Sequence, residues 1–223
     1  PASRRLGGVL PVFQTPFHDD ESVDGDVLCR EIEWLFAQGA NGVVMAMVSE
    51  LLRLSNEERL AMAELVCRSA AEHGVVVISI GAESSAVAVE FARHAESVGA
   101  DAVMAVPPVS YAVSEDELHR YYERVFSAIR LPVIVQDASG YIGQPMSIGF
   151  QVRLLEDYGD RVMFKPEAKP IGPRVSELRD ATGGQAKIFE GTGGIAVVDS
   201  YRRGIVGTMP GADLCWALVE LWK

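Results

Sequence analysis

The chain has 223 residues, 48% apolar and 23% charged, with 31 acidic against 20 basic side chains and a net charge of −11. That composition excludes disorder, collagen-like repeats and a disulfide-stapled miniprotein, and a chain of this length buries a real core. The negative field repels a phosphate backbone, so nucleic acid is not an expected partner; the longest apolar runs, such as residues 75–80, fall far short of the ~18 residues of a membrane span.

In chain order, short Val- and Ile-rich runs alternate with amphipathic stretches. The runs lie at 8–13, 42–46, 75–80, 102–106, 133–136, 162–164, 188–190 and 204–208. Most do not alternate apolar with polar, which is how parallel strands covered on both faces read. Helical patterns fill 24–38, 55–71, 84–98, 114–129, 147–157, 173–181, 195–203 and 212–222. Ser55 with Glu58, and Ser114 with Glu117, form capping boxes that satisfy free amides at a helix start. Gly39, Gly99 and Gly204 stand where a left-handed residue stops a helix. Eight strands and eight helices, the last incomplete, predict a (β/α)8 TIM barrel formed by residues 1–223 as one domain. An open doubly wound sheet is the alternative, but no GxGxxG follows the first run.

Cys29, Cys67 and Cys215 are scattered and odd in number, which predicts no metal centre or disulfide framework and fits a reducing cytoplasm; Cys29 and Cys67, on helical stretches, read as small core residues. Arg4 and Arg5 precede an apolar stretch too short for a secretion signal. None of the four histidines receives a catalytic or metal role, and Trp34, Trp216 and Trp222 read as core or interface residues.

Barrel chemistry sits at the C-terminal ends of the strands. Lysine is scarce, with only Lys165, Lys169, Lys187 and Lys223, and Lys165 ends an apolar run. A desolvated amine can attack a ketone, and the resulting iminium is an electron sink for carbon–carbon bond making or breaking. The plainer alternative is a barrel lysine paired with Glu167 or Glu190.

The sequence Gly8-Val9-Leu10-Pro11-Val12-Phe13-Gln14-Thr15-Pro16-Phe17, then Gly42-Val43-Val44, Leu54-Ser55-Asn56-Glu57-Glu58-Arg59, Gly99-Ala100-Asp101-Ala102-Val103, Val106-Pro107-Pro108, Phe164-Lys165, Phe189-Glu190-Gly191 and Gly204-Ile205-Val206-Gly207 resembles the dihydrodipicolinate synthase / N-acetylneuraminate lyase family. These are class I aldolases that form a Schiff base with pyruvate. The resemblance implies that Lys165 is the Schiff-base lysine. It implies that the loop at Met47, Val48 and Ser49 holds the pyruvate carboxylate, through backbone amides and the Ser49 hydroxyl. It implies that Gly191 and Val206 line the pyruvate pocket. It further implies a homo-oligomer, tetramer or dimer, and helices after the barrel that this chain does not include.

Several positions depart from the family pattern. The relay threonine falls on Met47, the strand-five tyrosine on Gln136, the inter-subunit tyrosine on Ser110 beside Tyr111, and the arginine that reads a second carboxylate near Tyr141. Together these changes argue against lysine-biosynthetic synthase activity. Gln136 is left to orient a carbonyl or a water, while Glu167 and Tyr111 are candidate acid–base groups. Glu167 lies two residues past Lys165, so an extended backbone points both side chains the same way. The expected function is a Schiff-base lyase, aldolase or dehydratase acting on a 2-oxo acid, with no cofactor. The alternatives are a catalytically silent barrel that senses such an acid and, more weakly, a phosphate-binding barrel using the Gly-rich loops at 191–194 and 207–211.

Overall fold

The computed structural model describes residues 5–223; Arg4 lies outside the described residues. Strands and helices alternate: β1 (Gly8–Val9), α1 (Gly25–Ala37), β2 (Gly42–Met45), α2 (Asn56–Ala70), β3 (Val75–Ser79), α3 (Ser85–Ser97), β4 (Ala102–Ala105), α4 (Glu115–Ala128), β5 (Val133–Asp137), α5 (Ile148–Tyr158), β6 (Val162–Pro166), α6 (Ile171–Ala181), β7 (Phe189–Glu190), α7 (Val197–Arg202), β8 (Gly207–Thr208) and α8 (Cys215–Trp222). Single-turn 3₁₀ helices lie at Met47–Ser49 and Gly159–Arg161.

All strand pairs are parallel. One set runs β2-β3-β4-β5-β6 and the other β1-β8-β7. Bridges between Val12 and Val44, and between Phe164 and Ile188, join the two sets into a closed ring. The fold is therefore the expected (β/α)8 barrel. Closure removes sheet edges, and no strand needs a polar face because helices cover the outside of the ring and side chains fill its inside.

The helices start where the sequence places their caps. Ser55 accepts from Glu58 N at 3.1 Å while Glu58 accepts from Ser55 N at 2.7 Å. Asp24 accepts from Val27 N and Ser147 from Phe150 N, each closing a free amide of the first turn. Gly39, Gly99 and Gly204 take positive φ just past α1, α3 and α7.

Two apolar layers result. Inside the ring, Leu10, Val12, Val44, Val77, Met104, Ile134, Met163, Phe189 and Met209 fill the lumen. Outside it, Val43, Met45, Val76, Val103, Val135 and Phe164 pack against the helices. This in–out alternation along continuous apolar strands is the period-two rule acting with both faces buried.

Some expected boundaries shift. β1, β7 and β8 are two-residue ladders rather than longer runs. Pro11 has no N–H to donate, but the chain stays in the ring: Leu10 N donates to Thr208 O, and Pro11 O accepts from Val44 N, each at 2.9 Å. Gly204 belongs to the end of α7, so β8 starts three residues later than the apolar run does. Trp34 and Trp216 are largely exposed and do not belong to the core, while Trp222 is half-buried and packs edge-on against Tyr201. Cys67 and Cys215 are buried, whereas Cys29 is half-buried with its Sγ 3.1 Å from Ser69 Oγ.

A methyl group at Gly42 would collide with the carbonyl oxygen and side chain of Val75 and lie 2.8 Å from Leu10 Cδ2. Gly42→Ala is expected to destabilise the fold by ~1–3 kcal/mol. Thermal unfolding should show this as a fall of about 2–4 °C per kcal/mol.

Candidate active site

Lys165 is the fourth of five residues in β6, and Gln136 is its direct partner in β5. Ile134 and Met163, two residues earlier on each strand, belong to the lumen layer. The period of two therefore brings Gln136, Lys165 and Glu167 to the inner C-terminal side of the ring. Pro166 does not disturb this. It pairs with Asp137 in register, and Glu167 N donates to the Asp137 carbonyl at 2.9 Å.

The three side chains form one polar cluster, each 3% exposed or less. Lys165 Nζ lies 3.4 Å from Glu167 Oε1. Gln136 Nε2 donates to Glu167 Oε2 at 2.5 Å. One carboxylate oxygen thus faces the amine and the other is fixed by an amide. Gln136 Oε1 is buried and has no hydrogen-bond partner among the described residues. An unmet acceptor beside an amine and a carboxyl is a place for a ligand donor, because a buried orphan costs about 1–3 kcal/mol.

Burial pushes the Glu167 pKa above its usual range, and the nearby Glu190 charge adds to the rise; Lys165 and the Gln136 hydrogen bond oppose it without cancelling it. Glu190 is itself fully buried. It accepts from Thr208 Oγ1 at 2.6 Å, from Thr192 N at 2.6 Å and from the Thr192 hydroxyl. With its donors supplied by neighbouring loops, Glu190 is not the ion-pair partner of Lys165. Glu167 is.

Two glycines shape the cluster. A Cβ at Gly191 would run into Lys165 Cε and come within 2.8 Å of Glu167 Oε1, so the pair lies directly on that backbone. A Cβ at Gly140 would collide with the Glu167 carbonyl oxygen. Gly191 is thus brought to the site as expected. The Gly140 contact was not anticipated; its only sequence signal is a glycine in the loop just after a strand.

Other expected site residues are placed elsewhere. The Ser49 hydroxyl donates to Phe13 O at 2.6 Å and accepts from Ala46 N at 3.2 Å, and Ser49 is fully buried. It fastens the loop to the end of β1 and has no hydroxyl proton left for a substrate. Val48 directs its side chain outward and is 53% exposed. Met47 lines a cavity of about 360 Å³ with Arg59, Gly81, Glu83 and Val106, and Lys165 is not among the lining residues. What this loop retains is its backbone: the amides of Met47 and Val48 open a 3₁₀ turn and find no acceptor within it.

Val206 precedes β8 instead of ending it. Its carbonyl accepts from Gly8 N at 3.0 Å, and its side chain joins Arg5, Asp101 and Lys187 around a cavity of about 590 Å³. Lys187 immediately precedes the β7 run, so Val206 sits at the N-terminal face, opposite the amine. The reason is the late start of β8. Tyr111 is 62% exposed and lines a groove with Arg120, Tyr121 and Arg124, so it does not join the Lys165 cluster. Asp137 faces away from the lumen, as alternation requires, and accepts from Ser139 N and Met146 N. Among the described residues no group of three His, Cys, Asp or Glu side chains is arranged to hold a metal ion, and no helix is long and apolar enough to cross a membrane.

Comparison with known proteins adds context to this geometry. A model of the dihydrodipicolinate synthetase family matches residues 5–197. The 4-hydroxy-tetrahydrodipicolinate synthase of Bartonella quintana is 34% identical over 179 residues, which is 80% of this chain and 60% of that protein. The enzyme of the same name from Agrobacterium fabrum is 29% identical over 199 residues, 89% of this chain and 67% of that protein. The chain thus spans about three fifths of the length of several curated relatives it matches. Among solved structures, a chain from Pseudomonas aeruginosa superposes with a TM-score of 0.92 at 26% identity, over 98% of this chain and 75% of that one. The dihydrodipicolinate synthase of Acinetobacter baumannii, solved in complex with pyruvate, gives 0.89 at 26% identity over 97% and 74%.

The raised Glu167 pKa has a consequence for stability. The folded carboxyl holds its proton above the ordinary value of 4.5, so folding takes up a proton between that value and the raised one. The resulting stabilisation is complete below pH 4.5 and is lost as pH rises through the folded pKa. Urea unfolding followed from pH 4.5 to 8 should show this loss in the native chain, and Glu167→Gln should remove that component of the pH dependence.

Proposed function

We propose that this chain, which belongs to the dihydrodipicolinate synthetase family, is a Schiff-base-forming lyase or aldolase acting on pyruvate or a related 2-oxo acid. The observation that carries this reading is the buried amine of Lys165, 3.4 Å from a carboxylate that Gln136 holds in place. The pyruvate bound to the Acinetobacter baumannii relative supports the same substrate class.

The chemistry follows from the three side chains. Lys165 must be unprotonated to attack the keto carbon. Glu167 is the adjacent acceptor for its proton, and a carboxyl with a raised pKa holds that proton well. The amine adds to the carbonyl, giving a carbinolamine. Glu167 returns the proton to the carbinolamine hydroxyl, which leaves as water. The iminium then draws electrons from the bond between C3 and C4, and Glu167, now ionised, accepts the proton of a C4 hydroxyl as that bond breaks. The unmet Gln136 Oε1 accepts a hydrogen bond from the carbinolamine hydroxyl or from a water. The amides of Met47 and Val48 supply donors for the substrate carboxylate, without help from the Ser49 hydroxyl. The lysine is the electron sink, so this mechanism uses no metal or organic cofactor.

A second reading has one observation in its favour. Lys165 and Glu167 form a nearly closed pair, each 3% exposed. A barrel that captures a 2-oxo acid without turning it over would serve as a sensor. Homo-oligomerisation, as a tetramer or dimer, belongs to both readings, and exposed apolar side chains such as Leu214 and Trp216 suit subunit contacts.

Borohydride reduction in the presence of pyruvate tests the proposal. A reduced pyruvate adduct on the peptide carrying Lys165 is expected, and Lys165→Ala should abolish it. Glu167→Gln should form the adduct more slowly and lower turnover about 10²–10⁴-fold, the range for losing a general acid–base. An adduct without turnover on any 2-oxo acid selects the sensor reading; no adduct at high pyruvate overturns both.

A further inference from the structure

We propose that Glu190 is a positioning residue of the Schiff-base site: from behind β7 it clamps the Gly191 backbone against Lys165 and Glu167 and holds a fixed negative charge there. This rests on Lys165 being the Schiff-base amine.

Alternation places the residue. Phe189 fills the lumen, Gly191 returns to it against Lys165 and Glu167, and Glu190 between them faces the helices. Outward positions on other strands, such as Val76, Val103 and Phe164, are apolar. At Glu190 a fully buried carboxyl stands where an apolar side chain would avoid the cost of desolvation.

The carboxyl brackets Gly191. Thr208, its direct ladder partner on β8, donates its hydroxyl to Oε2 at 2.6 Å. Oε1 accepts from Thr192 N at 2.6 Å and from the Thr192 hydroxyl. The Glu190 carbonyl accepts from Met209 N at 2.8 Å. The peptide before Gly191 is thus tied to β8, and the peptide after it is tied to the Glu190 carboxyl. Gly191 cannot draw back from the amine without breaking one of these bonds.

The charge has no local counterion. All partners of the carboxyl are neutral donors, and among the described residues no cation pairs with it. An ionised carboxyl is acceptor-only, the form this donor set fits. Its charge contributes to the raised pKa of Glu167, after burial. The other ionisable groups around it are few. β6 brings Lys165 and Glu167, the loop after β5 brings Tyr141, and β8 brings none. α7 turns Val197 and Ser200 inward and keeps Asp199 paired with Arg203. α8 turns Cys215 inward, its thiol pushed up to about 11 by burial. Glu167 exchanges its proton during the reaction, whereas Glu190, held by three donors, keeps its charge throughout.

The test incubates native protein, Glu190→Gln, Thr208→Val and Thr208→Ser with pyruvate and cyanoborohydride from pH 5 to 8. Mass spectrometry times the adduct on the peptide carrying Lys165. Glu190→Gln keeps the shape and removes the charge, so Glu167 ionises at lower pH. The midpoint of the trapping profile should therefore move down by roughly 0.5–1 pH unit. Thr208→Val keeps the charge and cuts one tie. It should leave the midpoint in place and raise the pyruvate concentration for half-maximal trapping at least ~threefold, and Thr208→Ser should restore the native value. Should Glu190→Gln fail to fold, Glu190→Met combined with Thr208→Val removes both polar partners and reads the same downward move. Slower trapping with an unmoved or raised midpoint after loss of the charge marks a loop support only and overturns this proposal alone. So does native half-saturation in Thr208→Val. Failure of the native protein to trap pyruvate overturns the Schiff-base reading and this proposal with it.

Discussion

A single buried contact organises the C-terminal mouth of this barrel: the amine of Lys165 against the carboxyl of Glu167. Neither group is solvated, so each depends on the other and on fixed dipoles nearby. Gln136 supplies one such dipole by donating to the oxygen that the lysine does not face. Burial raises the pKa of that carboxyl even though the lysine and the Gln136 amide both favour its charge.

The backbone must come unusually close to make that contact dry. Gly191 and Gly140 approach from β7 and from the loop after β5, and neither position accommodates a side chain. Other buried polar groups near the mouth are occupied elsewhere. Glu190 is engaged by Thr192 and Thr208, Asp137 pins the ends of the loop carrying Tyr141, and Ser49 ties the loop after β2 to β1. The buried carboxylates of the mouth thus divide into one that faces the amine and others that hold loops, according to which donors their strands place nearby. Among the described residues Lys165 is the one buried lysine, and its carboxylate partner is Glu167.

Alternation fixed the fold and much of the site from sequence alone. The succession of both-face-buried apolar runs with capped helices pointed to a parallel sheet covered on both sides, and eight such units without a GxGxxG favoured a closed barrel over an open doubly wound sheet. The rarity of lysine and its place at the end of an apolar run singled out Lys165, and the two-residue step put Glu167 on the same strand face, with Glu190 left as an equal candidate partner. Periodicity reports which face of a strand a side chain occupies, and that is a local property.

The tertiary structure decided what local periodicity cannot carry: where each ladder begins, and which donor meets which acceptor. β8 starts at Gly207, so Val206 belongs to the opposite end of the barrel from the amine. The Ser49 hydroxyl is consumed by Phe13, 36 residues away in sequence, and Gln136 meets Glu167 across 31. The same long-range contacts chose Glu167 over Glu190 as the lysine's partner and set Gly140 against the Glu167 carbonyl. A hydrogen bond is satisfied by proximity in space, and closing the ring is what creates that proximity.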